Sequence, residues 1–435
     1  MATTPLASRS DVVVVGAGLA GLTAALQLRA TGRRVTLIHK GIGGLQLSQG
    51  SVDILGYAPQ RVERPLEAIP AYVSDKPEHP YAAIPAGAVR RGVQWLVDSV
   101  GTDLLVGDVD TNINLPTAVG AVRPTALAMP SMMNGVCTAG ARFLIVGPRQ
   151  FKDFYPKLIA QNLSRTELPA GGRLEARAAS IDFAARPGEA DASGLAYARS
   201  LDDPQQRRRL VGLLRRVVEP GETVGLPAFL GYTDSTAWRD IQDQLGHPVF
   251  EIPLPPPGVP GMRLNRALLA RAKAKGVAVV AGSFVTSGET DARRVSAIVI
   301  EAAGGPRAYA ADHVVFAPGG FESGALTMDS YGRITERVFD LPIAGLDPTD
   351  LADGWPIHGD YWGQAQPLFR AGVRVDASMR VLDQAGEPVY ENLYAVGGLL
   401  AGATRWQEKS GEGIALGSAV AAVDAILGTN EGSTR

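Results

Sequence analysis

A chain of 435 residues is too long for one ordinary hydrophobic core, so two or three domains are expected. Hydrophobic content of 46%, charged content of 20% and a net charge of −2 describe a soluble globular protein and give no reason to expect nucleic acid. The one cysteine, Cys137, excludes an internal disulfide, an iron–sulfur cluster and a cysteine-ligated zinc, so it reads as a buried inert thiol and no metal is expected.

The first ten residues have no apolar core and do not read as a secretory signal. The run from Val12 to Leu26 falls short of the about eighteen apolar residues of a membrane span. The protein is therefore expected to be soluble, or to reach a membrane only through a partner.

From residue 11 the chain reads as strand, glycine turn, helix and strand. Val12 to Val15 is β-branched and apolar, the pattern of a buried strand. Gly16, Gly18 and Gly21 follow in the spacing G-x-G-x-x-G. The first permits the turn, the second lets a pyrophosphate approach the backbone, and the third lets the helix pack closely. The helix over residues 19–29 begins at Leu19 and Ala20, so their end of it aims N–H groups and a positive dipole at a phosphate. Gly32 ends it, and residues 35–38 form the second strand. A dinucleotide site usually carries Asp or Glu at the tip of that strand, to bind ribose. Here His39 and Lys40 stand there, which suits a mononucleotide, or FAD with another ribose partner; Lys40 also raises a 2′-phosphate. Gly41, Gly43 and Gly44, then Ser48, Gly50 and Ser51, make a second Gly- and Ser-rich loop. Such a loop is similar to that of flavoproteins related to fumarate reductase, where it lies along the phosphate and the flavin ring.

Residues 56–251 change character, with frequent prolines and short alternating segments, as in a domain inserted over a cofactor. Residues 95–106 read as a helix entering a strand, and 143–146 as a strand. Residues 205–218 form a basic amphipathic helix, read as a cap-domain helix with a solvated face or as a docking surface for an anionic membrane or partner.

A helix over 264–275 ends at Gly276, and 277–280, 295–302 and 307–312 read as strands. His313 to Phe316 continues as an apolar strand into Gly319 and Gly320, small residues suited to a backbone lying near a cofactor. The segment is similar to the A-T-G-G type of many two-dinucleotide-domain flavoproteins, with Pro318 where Thr is commoner in them. Residues 392–398 end in Gly397 and Gly398, and the stretch from Gly411 through Gly413 leads a small-residue helix ending near Leu427, its start suited to a flavin ring oxygen or ribityl chain. The expected fold class is α/β: a discontinuous Rossmann-like flavin-binding domain opened by the βαβ unit, with an inserted α+β cap or substrate domain. Its parts are residues 9–55, 256–325 and 381–430; the cap takes 56–255 and 326–380.

Several stretches together resemble one family: Ser48 to Asp53, Asp153 to Pro156, Val224 to Ala228, Phe250 to Pro253 with Pro255 to Leu264, and Asn392 to Gly398. The chain resembles, nearly end to end, the B subunit of anaerobic glycerol-3-phosphate dehydrogenase. That resemblance implies a flavoprotein with FMN, FAD being the alternative. It implies a subunit that oxidises sn-glycerol 3-phosphate to dihydroxyacetone phosphate, working with a flavin-containing A subunit and an iron–sulfur C subunit that anchors the complex and passes electrons to quinone. Such a complex sits in the cytoplasm at the inner face of the cell membrane. A non-catalytic flavin relay subunit and a fumarate-reductase-like oxidoreductase on another substrate are the alternatives.

Oxidising a secondary alcohol requires hydride loss to flavin and a base for the hydroxyl proton. His358, in a polar loop, is the preferred base; His313 begins a buried strand and His247 lies in a turn. Arg263 is the first choice to hold an anionic substrate or flavin group, against an ordinary ion pair, and Arg405 is a weaker choice.

Overall fold

The computed structural model describes residues 4–346 and 366–428. The chain forms two compact units: Met1–Gly44, Asp53–Leu96 and Leu268–Arg435 make the first, Leu45–Val52 and Val97–Ala267 the second.

The first unit is built on a seven-stranded sheet. β1 (Leu6–Val15) leads into α1 (Leu19–Ala30) and β2 (Val35–His39); β3 (Ala278–Ala281), β4 (Phe284–Asp291), β5 (Arg294–Ala302), β6 (Gly305–Phe316) and β7 (Leu393–Ala395) follow, and α2 (Gly411–Leu427) closes the unit. The strand order is β3-β2-β1-β6-β5-β4, with β7 on the other side of β6 at its end. β1, β2, β3, β6 and β7 run parallel, whereas β4, β5 and β6 form an antiparallel meander. Val12, Val13 and Val14 are fully buried, which is why an unbroken β-branched run makes the central strand. Gly32, at φ +86°, follows the end of α1.

The second unit has its own four-stranded, all-parallel sheet, in the order Val249–Ile252, Thr223–Pro227, Arg142–Pro148 and Glu175–Ile181. Two small antiparallel pairs accompany it. Its core includes Phe143 and Phe250, with ring centroids 4.8 Å apart, Tyr197 stacked on Phe229, and the buried Cys137. The basic helix, Pro204–Leu214, buries Leu210, Val211 and Leu214 in this core. Its Arg207 is buried too, tied to Asp234 and Asp240. The apolar stripe is thus taken by ordinary packing.

The units divide the chain at other points than composition suggested. Residues 45–52 lie in the second unit because Val52 pairs with Leu127 and the Gly258 N–H donates to Gln46. Residues 56–96 lie in the first, where the N–H groups of Gly56 and Tyr57 donate to the Glu408 carbonyl at 2.8 and 3.0 Å. Among the described residues, no helix is long and apolar enough to cross a membrane.

Candidate flavin site

β1 ends at Val15, and Gly16 turns the chain with φ +102°. A Cβ on Gly16 would overlap the Ala317 carbonyl, and one on Gly21 would overlap the Gly16 carbonyl, so these two glycines allow β1, β6 and α1 to close on one another. Gly18 differs: a Cβ there would meet nothing within 4 Å. No side chain caps α1, and its first turn, from Leu19 and Ala20, carries no acid. Open space over a glycine beside an uncapped helix start fits a diphosphate.

The other small residues converge on the same end of the sheet. A Cβ on Gly43 would lie 2.6 Å from the Ala17 carbonyl oxygen, one on Gly397 2.9 Å from the Ala20 Cβ, and one on Gly398 3.3 Å from the Gly319 Cα. A Cβ on Gly320 would lie 3.2 Å from the Gly398 carbonyl oxygen. The Gly397 N–H donates to Ser418 Oγ at 3.0 Å, which ties the turn after β7 to α2. A Cβ on Gly44 would meet nothing within 4 Å.

At the tip of β2 a cleft opens, lined among others by Val15, His39, Lys40, Phe284, Pro318 and Arg337. The Lys40 ammonium lies 5.1 Å from the centre of the Phe284 ring and the Arg337 guanidinium 5.0 Å, so two cations lie against this ring. His39 Nδ1 bonds the Gly41 carbonyl at 2.9 Å. Among the described residues, no carboxylate lines the cleft.

A buried polar cluster stands at the start of α2. Glu408 accepts from His79 Nε2 and Ser410 Oγ at 3.0 Å on one oxygen, and from the Thr404 N–H and hydroxyl at 2.9 Å on the other. His79 Nδ1 accepts from the Tyr81 N–H at 3.2 Å, so the ring proton belongs on Nε2, toward Glu408. The Tyr81 hydroxyl donates to the Ile54 carbonyl and fills the space where a Gly413 side chain would go. The Gly413 N–H goes to the Asp53 carbonyl at 2.9 Å, and Glu412 accepts from the Asp53 N–H at 3.3 Å. Gly413, read as a cofactor contact, thus already has its amide committed within the protein. Nothing in the sequence marks His79: its carboxylate partner is 329 positions away.

Burial pushes the Glu408 carboxyl up, but the hydrogen bonds from His79 and Thr404 outweigh it and leave it at about 2, against 4.5 when unperturbed. A lowered folded value stabilises the protein above the unfolded value and is lost as pH falls toward the folded one. Unfolding free energy should therefore drop by about 2 kcal/mol from this group between about pH 6 and about pH 3. Urea midpoints across that range check it: the fall should be shallower by this amount in Glu408→Gln.

An FAD binding domain family matches residues 11–414. A Halobacterium salinarum protein, named as a probable B subunit of anaerobic glycerol-3-phosphate dehydrogenase, is 31% identical, covering 96% of this chain and 97% of its own length. The chain belongs to the family of anaerobic glycerol-3-phosphate dehydrogenase B subunits. The Yersinia pestis member is 30% identical over 96% of this chain and 98% of its own. Among solved structures, the open conformation of a flavocytochrome c3 fumarate reductase covers 98% of this chain and 79% of its own at 14% identity, with a TM-score of 0.44.

The family match supports flavin binding, FAD in particular, and gives no support to FMN as the first choice. The matching family is an FAD binding domain. The absence of an acid at the β2 tip left a mononucleotide and FAD with another ribose partner open, and the tip opens into the cleft beside Phe284.

The hydroxyl loop lies in the second unit and supports its own fold there. Ser48 Oγ accepts from the Gly50 N–H at 3.3 Å, and Ser51 Oγ from Arg123 Nη2 at 3.1 Å. Gly50, at φ +73°, packs where a side chain would overlap Pro260.

The role given to Arg263 is also corrected. Its guanidinium meets Glu251 with two bonds, 2.7 and 2.9 Å, and donates twice to the Gly231 carbonyl, at 2.8 and 2.5 Å. The two side chains are 5% and 0% exposed, and neither offers a donor to an anion. Glu251 also takes Ser131 Oγ and the Leu230 N–H, both at 2.6 Å. Burial raises its carboxyl, and Arg263 then leads the groups that bring it below the usual range. Arg405 donates to the Gly398 carbonyl and lies 3.4 Å from Glu322. His313 is displaced downward by burial and faces the Tyr394 hydroxyl at 3.4 Å; His247 bonds the Glu222 carbonyl at 3.1 Å. His358 lies outside the described residues.

Proposed function

We propose that this chain holds FAD in its first unit and serves as a subunit of a quinone-linked glycerol-3-phosphate dehydrogenase. The observation that carries the reading is similarity to named B subunits over 96% of the chain, joined to an FAD binding domain match. The glycine turn before α1 would hold the diphosphate, and the cleft beside His39, Lys40 and Phe284 suits an adenosine, stacked or capped by that ring and its cations. Bound flavin supplies a two-electron acceptor for the hydride of a secondary alcohol. The chain supplies the base, for which His358 is the assignment, tested by slower flavin reduction in His358→Asn. Electrons then pass to an iron–sulfur partner and on to quinone. The A and C subunits would hold the complex at the inner face of the cytoplasmic membrane.

The test is anaerobic reduction of the purified protein with sn-glycerol 3-phosphate, after heat release and mass spectrometry of the cofactor. Loss of the visible flavin band, and a released mass equal to FAD, are the expected results. A spectrum that does not change favours the second reading, a flavin relay subunit whose partner oxidises the substrate. That reading draws support from Arg263 and Arg405, both engaged with protein acceptors. Bleaching by another alcohol alone would move the substrate assignment.

A further inference from the structure

The cleft at the tip of β2 lies wholly within the first unit. Gly16, which turns the chain toward α1, lines it together with Lys40 and Arg337. One cleft thus joins the turn suited to a diphosphate with a pair of cations. The cations come from distant parts of the chain. Lys40 follows β2, and Arg337 follows the short strand Ile334–Glu336. Phe284, which opens β4, brings them together, with the ammonium 5.1 Å and the guanidinium 5.0 Å from its ring centre. The two charges therefore stand within about one Debye length of each other.

Exposed lysines and arginines mostly face solvent or a carboxylate. Here, among the described residues, no carboxylate lines the cleft, and both cations lie against the ring. An aromatic ring holds a cation without supplying an oxygen acceptor, so the N–H donors of both stay available to a ligand.

The sign of the charge decides what the cleft can read. A carboxylate at this strand tip accepts from ribose hydroxyls and repels a phosphate placed there. A cation donates to oxygen and attracts a phosphate, and an arginine near this position is how such folds accommodate a ribose phosphate. Charge-assisted bonds to phosphate are roughly twice as strong as bonds between neutral groups. FAD offers only hydroxyl oxygens at its adenosine ribose, so it would use the weaker form of these contacts.

We propose that Lys40 and Arg337 form an anion subsite at the ribose end of the cofactor cleft, selective for adenine nucleotides that carry a phosphate on the ribose, and that such nucleotides compete with FAD for the cofactor-free chain. This rests on the flavin reading above. The preference has two parts, attraction by two cations and no described acid to repel the phosphate.

The experiment follows flavin fluorescence as FAD, titrated into the cofactor-free, full-length chain, is displaced by adenosine 2′,5′-bisphosphate or by 5′-AMP. The bisphosphate should act at a concentration about tenfold lower. Combining Lys40→Gln with Arg337→Gln should bring the two competitors to within about twofold of each other. Both side chains are exposed, so the double variant should fold like the parent. A merely structural role for the two cations would alter stability and leave the ranking of competitors alone. Equal ranking in the parent would overturn the proposal, and so would a preference that survives in the double variant. Inorganic phosphate added beside 5′-AMP should not reproduce the advantage; if it does, the effect is general anion attraction and the subsite falls. A parent that takes up no FAD sinks the flavin reading together with this one, whereas a parent that binds FAD and ranks both competitors equally sinks the ribose subsite alone.

Discussion

Replacing Gly18 with valine is expected to yield a folded protein that purifies without flavin. The position has φ −75° and ψ −176°, which any residue adopts, and a Cβ there touches nothing within 4 Å. Stability should therefore change little. The side chain would occupy the space at the open start of α1, where a diphosphate must approach the backbone N–H groups. Losing about two charge-assisted hydrogen bonds costs about 3 kcal/mol or more, which is at least about a hundredfold in affinity. Gly21→Val is the contrast. Its side chain would overlap the Gly16 carbonyl, so α1 could not keep its place against β1, and the fold itself should fail. Thermal melting and the ratio of flavin to protein absorbance separate the two. A yellow Gly18→Val protein with parent-like affinity would remove the phosphate cradle from this turn.

The contrast between those glycines bears on what a sequence can disclose. β1, α1 and β2 were legible because each is decided by neighbours: a β-branched run, a glycine turn, a helical stripe and a terminating Gly32. Two strands of the meander, β5 and β6, and α2 were legible for the same reason, with ends misplaced by a few residues, whereas β4 was not read. The helix expected from residue 264 starts at Val259, because Pro260 sits in its first turn, where proline is tolerated. What stayed hidden is nonlocal. Glu408 carries four donors, one of them 329 positions away, and no spacing rule joins His79 to it. Residues 45–52 read as an extension of the βαβ unit by adjacency, whereas their hydrogen bonds go to Leu127 and to residues near 258. An arginine looks the same in sequence whether it faces a substrate or a buried glutamate, which is why Arg263 was given a ligand.

Arg263→Met should therefore lower stability by about 3–5 kcal/mol, the cost of leaving one member of a buried ion pair without the other. Glu251 would keep Ser131 and the Leu230 N–H but lose its two guanidinium bonds, and the Gly231 carbonyl would lose both donors. The carboxyl would then rise toward neutrality, so the loss should be smaller in acid than near neutral pH. Arg263→Lys should fall between, because one ammonium cannot reproduce the paired bonds to Glu251 and still reach Gly231. Urea unfolding of the full chain measures both variants. The same Arg263→Lys protein separates a structural cation from a substrate-binding one. A structural role predicts a lowered unfolding midpoint and a KM for sn-glycerol 3-phosphate within about twofold of the parent, whereas a phosphate contact predicts a rise of about tenfold or more. That rise, with stability unchanged, would return Arg263 to the ligand and leave the ion pair with Glu251 as a resting arrangement.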